Sequence, residues 1–333
     1  MKRKAIFCAT FLLFTSTLCG CDLADSSQSQ AIATISEEAQ EVPKSSVPST
    51  PSPSKKALSK SKARPFKAEL LTPMAEGLIT YGNALATIDA SHTSDGYIMV
   101  AYHGSNAKVK LQITGSDQIT YTYNLTDSEY DVFPLTSGNG AYTVSVYEHL
   151  SGTQYTTAYS TVITATLKDQ DLPFLYPNQY VNFTDSELII KQSEKLAKGA
   201  KNDLEVVSNI YHYLTSNITY DQEKAEALQS GYLTDIDEVL TSQRGVCLDY
   251  ATLMTSMLRL QGIPTRLEIG YAKDTYHAWV RVKIKDKGMI DDNILFDGSG
   301  WTLLDPTFAA SDSSERTMDF ISDPANYDTR FIY

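Results

Sequence analysis

The chain has 333 residues, of which 42% are hydrophobic and 20% charged, and its formal net charge at pH 7 is −12. This length suggests about two domains and excludes a small disulfide-stapled module. The one long apolar run lies at the N-terminus, which excludes a polytopic membrane protein. The excess of 40 acidic over 28 basic residues argues against nucleic acid as a partner.

The N-terminus has the pattern of a secretory signal peptide, because basic Met1–Lys4 precede the apolar stretch Ala5–Leu18, which is too short to span a bilayer. Leu18–Cys21 resembles a bacterial lipobox, whose last cysteine is lipidated; an ordinary signal peptide with a chance cysteine is the alternative. We expect residues 1–21 to be a lipoprotein signal ending at lipidated Cys21. Several acyl chains would then hold the protein on the extracytoplasmic face of the bacterial membrane.

The chain contains four cysteines, namely Cys8, Cys19, Cys21 and Cys247. Signal removal and lipidation leave Cys247 as one free thiol, so neither an intramolecular disulfide nor a cysteine-based zinc site is expected. We predict no metal and no cofactor. Alone, Cys247 is either a reactive group or a small buried hydrophobic residue.

Residues 22–65 are rich in Ser, Pro, Ala, Gln and Lys and lack a sustained apolar period, which predicts a disordered tether. Residues 66–170 alternate strand patterns with Gly-containing turns, which predicts an all-β, sandwich-like domain. The predicted strands are Tyr97–Tyr102, Val109–Ile113, Ile119–Tyr123, Tyr142–Tyr147 and Thr157–Leu167. We interpret the isolated His92, His103 and His149 as surface or structural residues, and the domain as a spacer or binding module.

Residues 171–333 change to helical spacing and form the second predicted domain. The predicted helices are Ser186–Ala200, Leu204–Ser216, Asp221–Leu228 and Asp235–Leu240. Asn202, followed by Glu205, resembles a capping box at the second helix.

A further helix is predicted to begin at Cys247 and to end before Gly262 and Pro264. Its apolar stripe consists of Ala251, Met254, Met257 and Leu258. The helix dipole and the free N–H groups of the first turn favour an anion, so this position favours the thiolate form of Cys247.

Three strand patterns follow, at Arg266–Tyr271, His277–Lys285 and Trp301–Asp305. The cysteine and the histidine are 30 residues apart, and the histidine and the aspartate 28, so three separate elements can bring them together. A thiolate, an imidazole and a carboxylate are sufficient for nucleophilic acyl transfer.

Several ordered motifs resemble the core of the transglutaminase-like superfamily, over roughly residues 185–310. They are Gly-Val-Cys-Leu-Asp-Tyr-Ala at 245–251, Leu-Arg-Leu-Gln-Gly-Ile-Pro-Thr-Arg at 258–266, Gly-Tyr at 270–271, His-Ala-Trp-Val at 277–280 and Trp-Thr-Leu-Leu-Asp-Pro-Thr at 301–307. The resemblance implies an α+β, papain-like fold with a Cys-His-Asp triad. The layout is also similar to secreted bacterial lipoproteins that carry this domain.

By this resemblance Cys247 is the nucleophile, His277 the general base and acid, and Asp305 the carboxylate that orients the imidazole. The backbone N–H of Cys247 is an oxyanion donor, and Gln243 and Tyr220 are alternative candidates for the second donor. Ile218–Asp221 also resembles the family, in which such an aromatic residue lies near the cleft. Trp279 is interpreted as a cleft wall.

Two functions remain open at this point. One is a cysteine acyltransferase or hydrolase that acts on protein or cell-wall peptide amides through a thioester, with an amine or water as acceptor. The other is a catalytically silent surface protein that uses the same fold for binding or adhesion. A structural lipoprotein with chance motifs is a third, weaker alternative.

The acidic stretch Asp291–Asp297 lacks EF-hand spacing, so we interpret it as a solvated loop instead of a calcium site.

Overall fold

The computed structural model describes residues 64–125 and 129–333. The predicted signal peptide, Cys21 and the tether up to residue 63 lie outside the described residues. Within the described ranges, no helix is both long and apolar enough to cross a membrane.

Two four-stranded antiparallel sheets form the first half of the described chain, as expected for a sandwich. The strands are β1 (Thr80–Gly82), β2 (Ala86–Asp89), β3 (Tyr97–Tyr102), β4 (Val109–Thr114), β5 (Thr120–Leu125), β6 (Asp131–Pro134), β7 (Gly140–Ser151) and β8 (Gln154–Ala165). The sheet orders are β1-β2-β3-β6 and β5-β4-β7-β8. The sequence did not predict β1, β2 and β6, because three or four residues are too few to establish an alternating pattern.

The second half combines helices with a four-stranded antiparallel sheet in the order β15-β12-β11-β16. The helices are α1 (Glu187–Ala197), α2 (Asp203–Asn217), α3 (Gln222–Ala227), α4 (Ile236–Ser242), α5 (Cys247–Arg259), α6 (Pro306–Ser311) and α7 (Glu315–Ser322). The strands are β9 (Thr219–Tyr220), β10 (Arg244–Gly245), β11 (Thr265–Ala272), β12 (Thr275–Lys283), β13 (Gly288–Ile290), β14 (Ile294–Phe296), β15 (Trp301–Leu304) and β16 (Tyr327–Ile332). Single 3₁₀ turns lie at Thr93–Asp95, Leu172–Phe174 and Pro324–Asn326. The predicted α+β class is confirmed.

The start of α2 forms only one half of the predicted capping box. The Asn202 side chain accepts a hydrogen bond of 2.9 Å from the N–H of Glu205. The Glu205 carboxylate, however, accepts from the N–H of Lys201 at 2.9 Å instead of returning to Asn202. One orphan N–H of the first turn is therefore capped by the side chain of Asn202.

Helix α5 is the central helix of the second half and differs from the predicted amphipathic helix. Every residue from Asp249 to Arg259 is buried, because α1, α2 and α6 and the strands β11 and β12 all pack against it. Its apolar stripe is therefore one part of a helix enclosed on all sides. Cys247, at its first position, remains partly exposed.

Aromatic side chains join the two halves in one core. The ring of Tyr333 stacks on Tyr180 at 4.0 Å and meets the edges of Tyr121 and Tyr123 at 5.6 and 6.1 Å. The N-terminal segment also reaches the helices, since Arg64 forms an ion pair with Asp203. The division into domains 66–170 and 171–333 stays a prediction.

The acidic stretch 291–297 comprises the turn between β13 and β14, the strand β14 and the residue after it. Asp291 and Asp292 adopt positive φ angles of 53° and 56°, and Asp291 pairs with His212 at 2.8 Å. Within residues 64–125 and 129–333, no group of acidic, histidine or cysteine side chains is arranged to hold a metal ion.

Candidate active site

Cys247 is the first residue of α5 and lies at one end of this buried helix. The first N–H groups of a helix have no intrahelical acceptor, and the helix dipole makes this end electropositive. A thiolate on Cys247, or an oxyanion formed beside it, therefore faces free backbone donors. No other cysteine occurs in the part of the chain that the structure describes.

His277 and Asp305 form a buried hydrogen-bonded pair. The distance from His277 Nε2 to Asp305 Oδ2 is 2.8 Å, and the two side chains are 4% and 0% exposed. A carboxylate can only accept, so Nε2 carries the proton and the Nδ1 side of the ring remains for Cys247. The fold thus brings together three residues that are 30 and 28 positions apart in the sequence: Cys247 from the start of α5, His277 from β12, and Asp305 from the junction of β15 and α6.

The surroundings of His277 favour its charged form. Burial by itself lowers the pKa of the imidazole, but the charge and hydrogen bond of Asp305, together with contacts to Cys247, outweigh burial and raise it to about 10. The imidazolium is therefore the stable form of His277 at neutral pH.

Asp305 is the N-cap of α6, and this role fixes its orientation. Its Oδ1 accepts hydrogen bonds from the N–H groups of Thr307 and Phe308 at 3.1 and 3.0 Å. Its Oδ2 accepts from His277 and from the hydroxyl of Tyr327 at 3.0 Å. Four donors thus satisfy the buried carboxylate without exposure to water.

Two residues that the sequence analysis missed hold this pair in place. Phe308 stacks on the imidazole of His277 with a centroid distance of 4.3 Å and an interplanar angle of 7°. The hydroxyl of Tyr327 donates to Asp305 from β16, the edge strand opposite β15 in the same sheet. Phe308 follows the Asp-Pro-Thr motif directly and was recognisable as a neighbour, whereas Tyr327 lies 22 residues after Asp305 and carried no signal.

A cleft of about 500 Å³ is lined by Cys247 and His277. Apart from those two residues, it is lined by uncharged side chains: Tyr180, Tyr220, Ala225, Leu228, Gln229, Ser230, Gly231, Tyr232, Val246, Leu248, Ile269, Tyr276 and Ala278. Volumes of this size are typical of small-molecule and peptide side-chain sites.

Tyr220 is the one predicted second oxyanion donor that lies in the cleft. Burial, followed by the nearby Cys247 and Asp249, raises the pKa of Tyr220, so its hydroxyl stays protonated and able to donate. No other side chain or backbone group in the described residues is hydrogen-bonded to that hydroxyl.

Gln243 and Trp279 do not line the cleft, which corrects both predictions. Gln243 ends α4 in a left-handed conformation with φ of 55°, and its side chain is exposed. Trp279 is fully buried, and its indole N–H donates to Glu268 at 3.0 Å, because β12 is covered on the face that was expected to be open.

Comparisons with known proteins agree with this geometry. The sequence model of the Transglutaminase-like superfamily matches residues 190–306, a span that contains Cys247, His277 and Asp305. The chain is 33% identical over 105 residues to the UPF0252 protein of Methanocaldococcus jannaschii; the match covers 28% of this chain and 30% of that protein. The chain thus spans less than a third of that relative's length.

Similar solved structures include a candidate cysteine protease from Cytophaga hutchinsonii, with 18% identity, a TM-score of 0.31 and coverage of 70% of this chain and 81% of that one. The transglutaminase of red sea bream is 14% identical, with a TM-score of 0.26 and coverage of 63% and 47%. On the basis of the matched segment, residues 190–306 of this chain form a domain of the transglutaminase-like superfamily.

Proposed function

We propose that the protein is a cysteine acyltransferase or hydrolase that acts on protein or peptide amides through a thioester on Cys247. The observation that carries the proposal is the approach of Cys247, in an open cleft, to an imidazole whose Nε2 lies 2.8 Å from the buried Asp305. The alternative of a catalytically silent binding protein requires no such polarised pair and no access to the thiol.

The proposed reaction has two halves. In the first, the Cys247 thiolate attacks the amide carbon, the His277 imidazolium gives its proton to the leaving amine, and a thioester forms. In the second, His277 takes a proton from an amine or from water, which attacks the thioester and restores the thiolate. Asp305 holds the imidazole in the required tautomer during both halves. We assign stabilisation of the oxyanion to the first N–H groups of α5, with Tyr220 as the side-chain donor.

The cleft supports an uncharged acyl donor. Lys, Arg, Asp and Glu are absent from its lining, whereas four tyrosines, Tyr180, Tyr220, Tyr232 and Tyr276, contribute to it. An apolar or carboxamide side chain can be buried there without desolvating an unpaired charge, which would be costly. Protein and cell-wall peptides offer amides of this kind.

A thioester trap with two acceptors tests the proposal. The full-length protein is incubated with a peptide-amide library, and the peptide that contains Cys247 is analysed by mass spectrometry for the added acyl mass. Adding a primary amine then separates transfer from hydrolysis, because the same acyl-enzyme yields either a new amide or a free acid. Cys247→Ala and His277→Ala should lose all turnover and remain folded. Full activity in Cys247→Ala would contradict the assignment.

We also propose that the protein acts on the extracytoplasmic face of a bacterial membrane, held there by lipid on Cys21. The lipobox-like Leu18–Cys21 and the preceding signal pattern support this location. Metabolic labelling with a fatty acid should mark the wild type and not Cys21→Ala, and Cys21→Ala should leave the membrane fraction. Equal labelling of both would contradict the anchor.

A further inference from the structure

Tyr327 contacts the carboxylate of the Cys-His-Asp constellation from outside the segment that the family matches. It is the first residue of β16, it is 7% exposed, and its hydroxyl donates to Asp305 Oδ2 at 3.0 Å. The same oxygen accepts from His277 Nε2 at 2.8 Å. Two donors therefore share one oxygen atom.

The surrounding residues fix the position of the Tyr327 ring. It packs against Trp279 at 5.0 Å and against Phe320 at 5.8 Å, and its backbone pairs with Ala272 in the sheet. Burial, followed by the Asp305 charge, raises the pKa of Tyr327 above its ordinary value. The hydroxyl therefore stays protonated at neutral pH and acts as a donor to Asp305.

We propose that Tyr327 is a positioning residue that, by donating to Asp305 Oδ2, limits how strongly this carboxylate holds the proton on His277. Its consequence for catalysis rests on the proposed function, whereas its effect on the imidazole does not. Without such a limit, an imidazolium bound to a buried carboxylate would be a poor proton donor to a leaving amine.

The direction of the effect follows from the shared oxygen. When His277 is neutral, the Asp305 carboxylate is a stronger acceptor, so the bond from Tyr327 is stronger. When His277 is charged, the imidazolium withdraws electron density from Oδ2, and that bond weakens. Tyr327 therefore stabilises the neutral form of His277 relative to the charged form.

The other titratable groups around the pair come from α5, β9 and α2, and from β12 itself. Cys247 faces His277 from α5, and Tyr220 and Tyr276 face Cys247 from β9 and β12. Tyr211, on α2, lies near Asp305, but its buried hydroxyl donates to no group among the described residues. Tyr211 is thus a matched control, since it offers the removal of a buried tyrosine hydroxyl without the loss of a hydrogen bond.

Histidine-selective NMR on the full-length protein tests the proposal. The chain has five histidines, and the resonance that disappears in His277→Gln identifies His277. In Tyr327→Phe we expect the titration midpoint of His277 to rise by about 0.5 unit or more, because Asp305 Oδ2 then accepts from the imidazole alone. Tyr211→Phe should leave the midpoint unchanged.

An unchanged or lower midpoint in Tyr327→Phe, or an equal rise in Tyr211→Phe, would overturn the proposal. Tyr327→Met, which fills the same site without a hydroxyl, repeats the test if the phenylalanine variant is poorly folded. The titration needs no substrate, so a shift without turnover would reject the proposed function alone. Turnover without a shift would reject only this inference.

In an active enzyme, Tyr327→Phe should lower kcat, with little change in KM, and move the alkaline limb of the pH profile to higher pH.

Discussion

Lys224 and Asp249 form an ion pair that ties a wall of the cleft to the helix of Cys247. The distance from Lys224 Nζ to Asp249 Oδ2 is 2.9 Å, and Asp249 is fully buried while Lys224 is 19% exposed. The hydroxyls of Tyr232 and Thr234 donate to the other carboxylate oxygen at 2.7 and 2.8 Å. One carboxylate, two residues beyond the proposed nucleophile, therefore anchors both ends of the segment 224–234.

The ion pair stays charged at neutral pH. Burial lowers the pKa of Lys224, but its hydrogen bonds with Tyr232 and Asp249 outweigh burial and raise it above the ordinary value. The residues between the two anchors, Leu228 to Gly231, are exposed and line the cleft. Their position thus depends on Asp249 more than on packing of their own.

Replacing Asp249 should loosen this wall. Asp249→Asn leaves Lys224 without a counter-ion and turns an amide NH₂ towards two of the four groups that donate to the carboxylate, which include the N–H of Val246, so we expect a loss of about 2 kcal/mol in the free energy of unfolding. We also expect KM to rise, because the wall lines the cleft, and kcat to fall, because Asp249 also accepts from the N–H of Val246, the residue before Cys247. Urea unfolding and steady-state kinetics measure the two effects.

Glu223→Gln is the matched control for that change. Glu223 precedes Lys224 on the same helix and is exposed, so the same loss of one negative charge should change stability by no more than about 0.5 kcal/mol. Equal effects of Glu223→Gln and Asp249→Asn would show that net charge, and not the anchored wall, is responsible.

Removing the charge of Asp305 tests the orienting role of this carboxylate. Asp305→Asn keeps the size of the side chain but replaces one acceptor oxygen with a donor NH₂. The amide then satisfies either the N–H groups at the start of α6 or the imidazole of His277, but not both. We expect kcat to fall by about 10² to 10⁴-fold, less than in Cys247→Ala, with KM nearly unchanged. Unchanged turnover would remove Asp305 from the constellation.

The sequence was informative where chemistry and secondary structure share a short motif. A cysteine at a helix start, a histidine in a strand and an aspartate before Pro306 were each recognisable from a few neighbouring residues, and the structure brings the three together. Their catalytic roles stay a prediction. Tyr327 was not recognisable, because its contact with Asp305 depends on β16 returning to pair with β11.

Both wrong predictions placed a side chain without knowledge of the surrounding backbone. Gln243 was a candidate donor because papain-like enzymes use a glutamine upstream of the cysteine, but here it ends α4 in a left-handed conformation with its side chain exposed. Trp279 lies on the same face of the strand as His277, and its side chain was therefore expected to form a wall of the cleft. In the folded protein Tyr327 packs on that face, with its ring centroid 5.0 Å from that of the Trp279 indole. Alternation within one strand does not reveal what covers each face.

The pH dependence of stability should report the charged form of His277. Its pKa rises from about 6.5 in the unfolded chain to about 10 in the folded protein. Between these values only the folded form holds the proton, so the stabilisation present at pH 6 is lost as pH rises towards 10. The free energy of unfolding should fall by up to about 1.4 kcal/mol per pH unit in this window. Urea unfolding at pH 6 to 9 should show this slope in the wild type and a smaller one in His277→Gln.

His103→Gln provides the control for that slope. Its imidazole is exposed and hydrogen-bonded to Thr87, far along the chain from the cleft. We expect its unfolding free energy to follow the wild type across the same pH range, within about 0.5 kcal/mol. A wild-type slope that survives in His277→Gln would assign the pH dependence to other groups.

The contrast between Tyr220 and Gln243 tests the second oxyanion donor. Tyr220→Phe removes a cleft hydroxyl that has no hydrogen-bond partner in the described residues, so the fold should be preserved. If this hydroxyl stabilises the oxyanion, kcat should fall by about 10 to 10³-fold, with a smaller change in KM.

Gln243→Asn shortens the other candidate and keeps a residue type that tolerates a left-handed backbone. It should leave kcat unchanged, because its side chain lies outside the cleft. A large loss in Gln243→Asn with none in Tyr220→Phe would reverse the assignment and require the turn at residue 243 to rearrange when substrate binds.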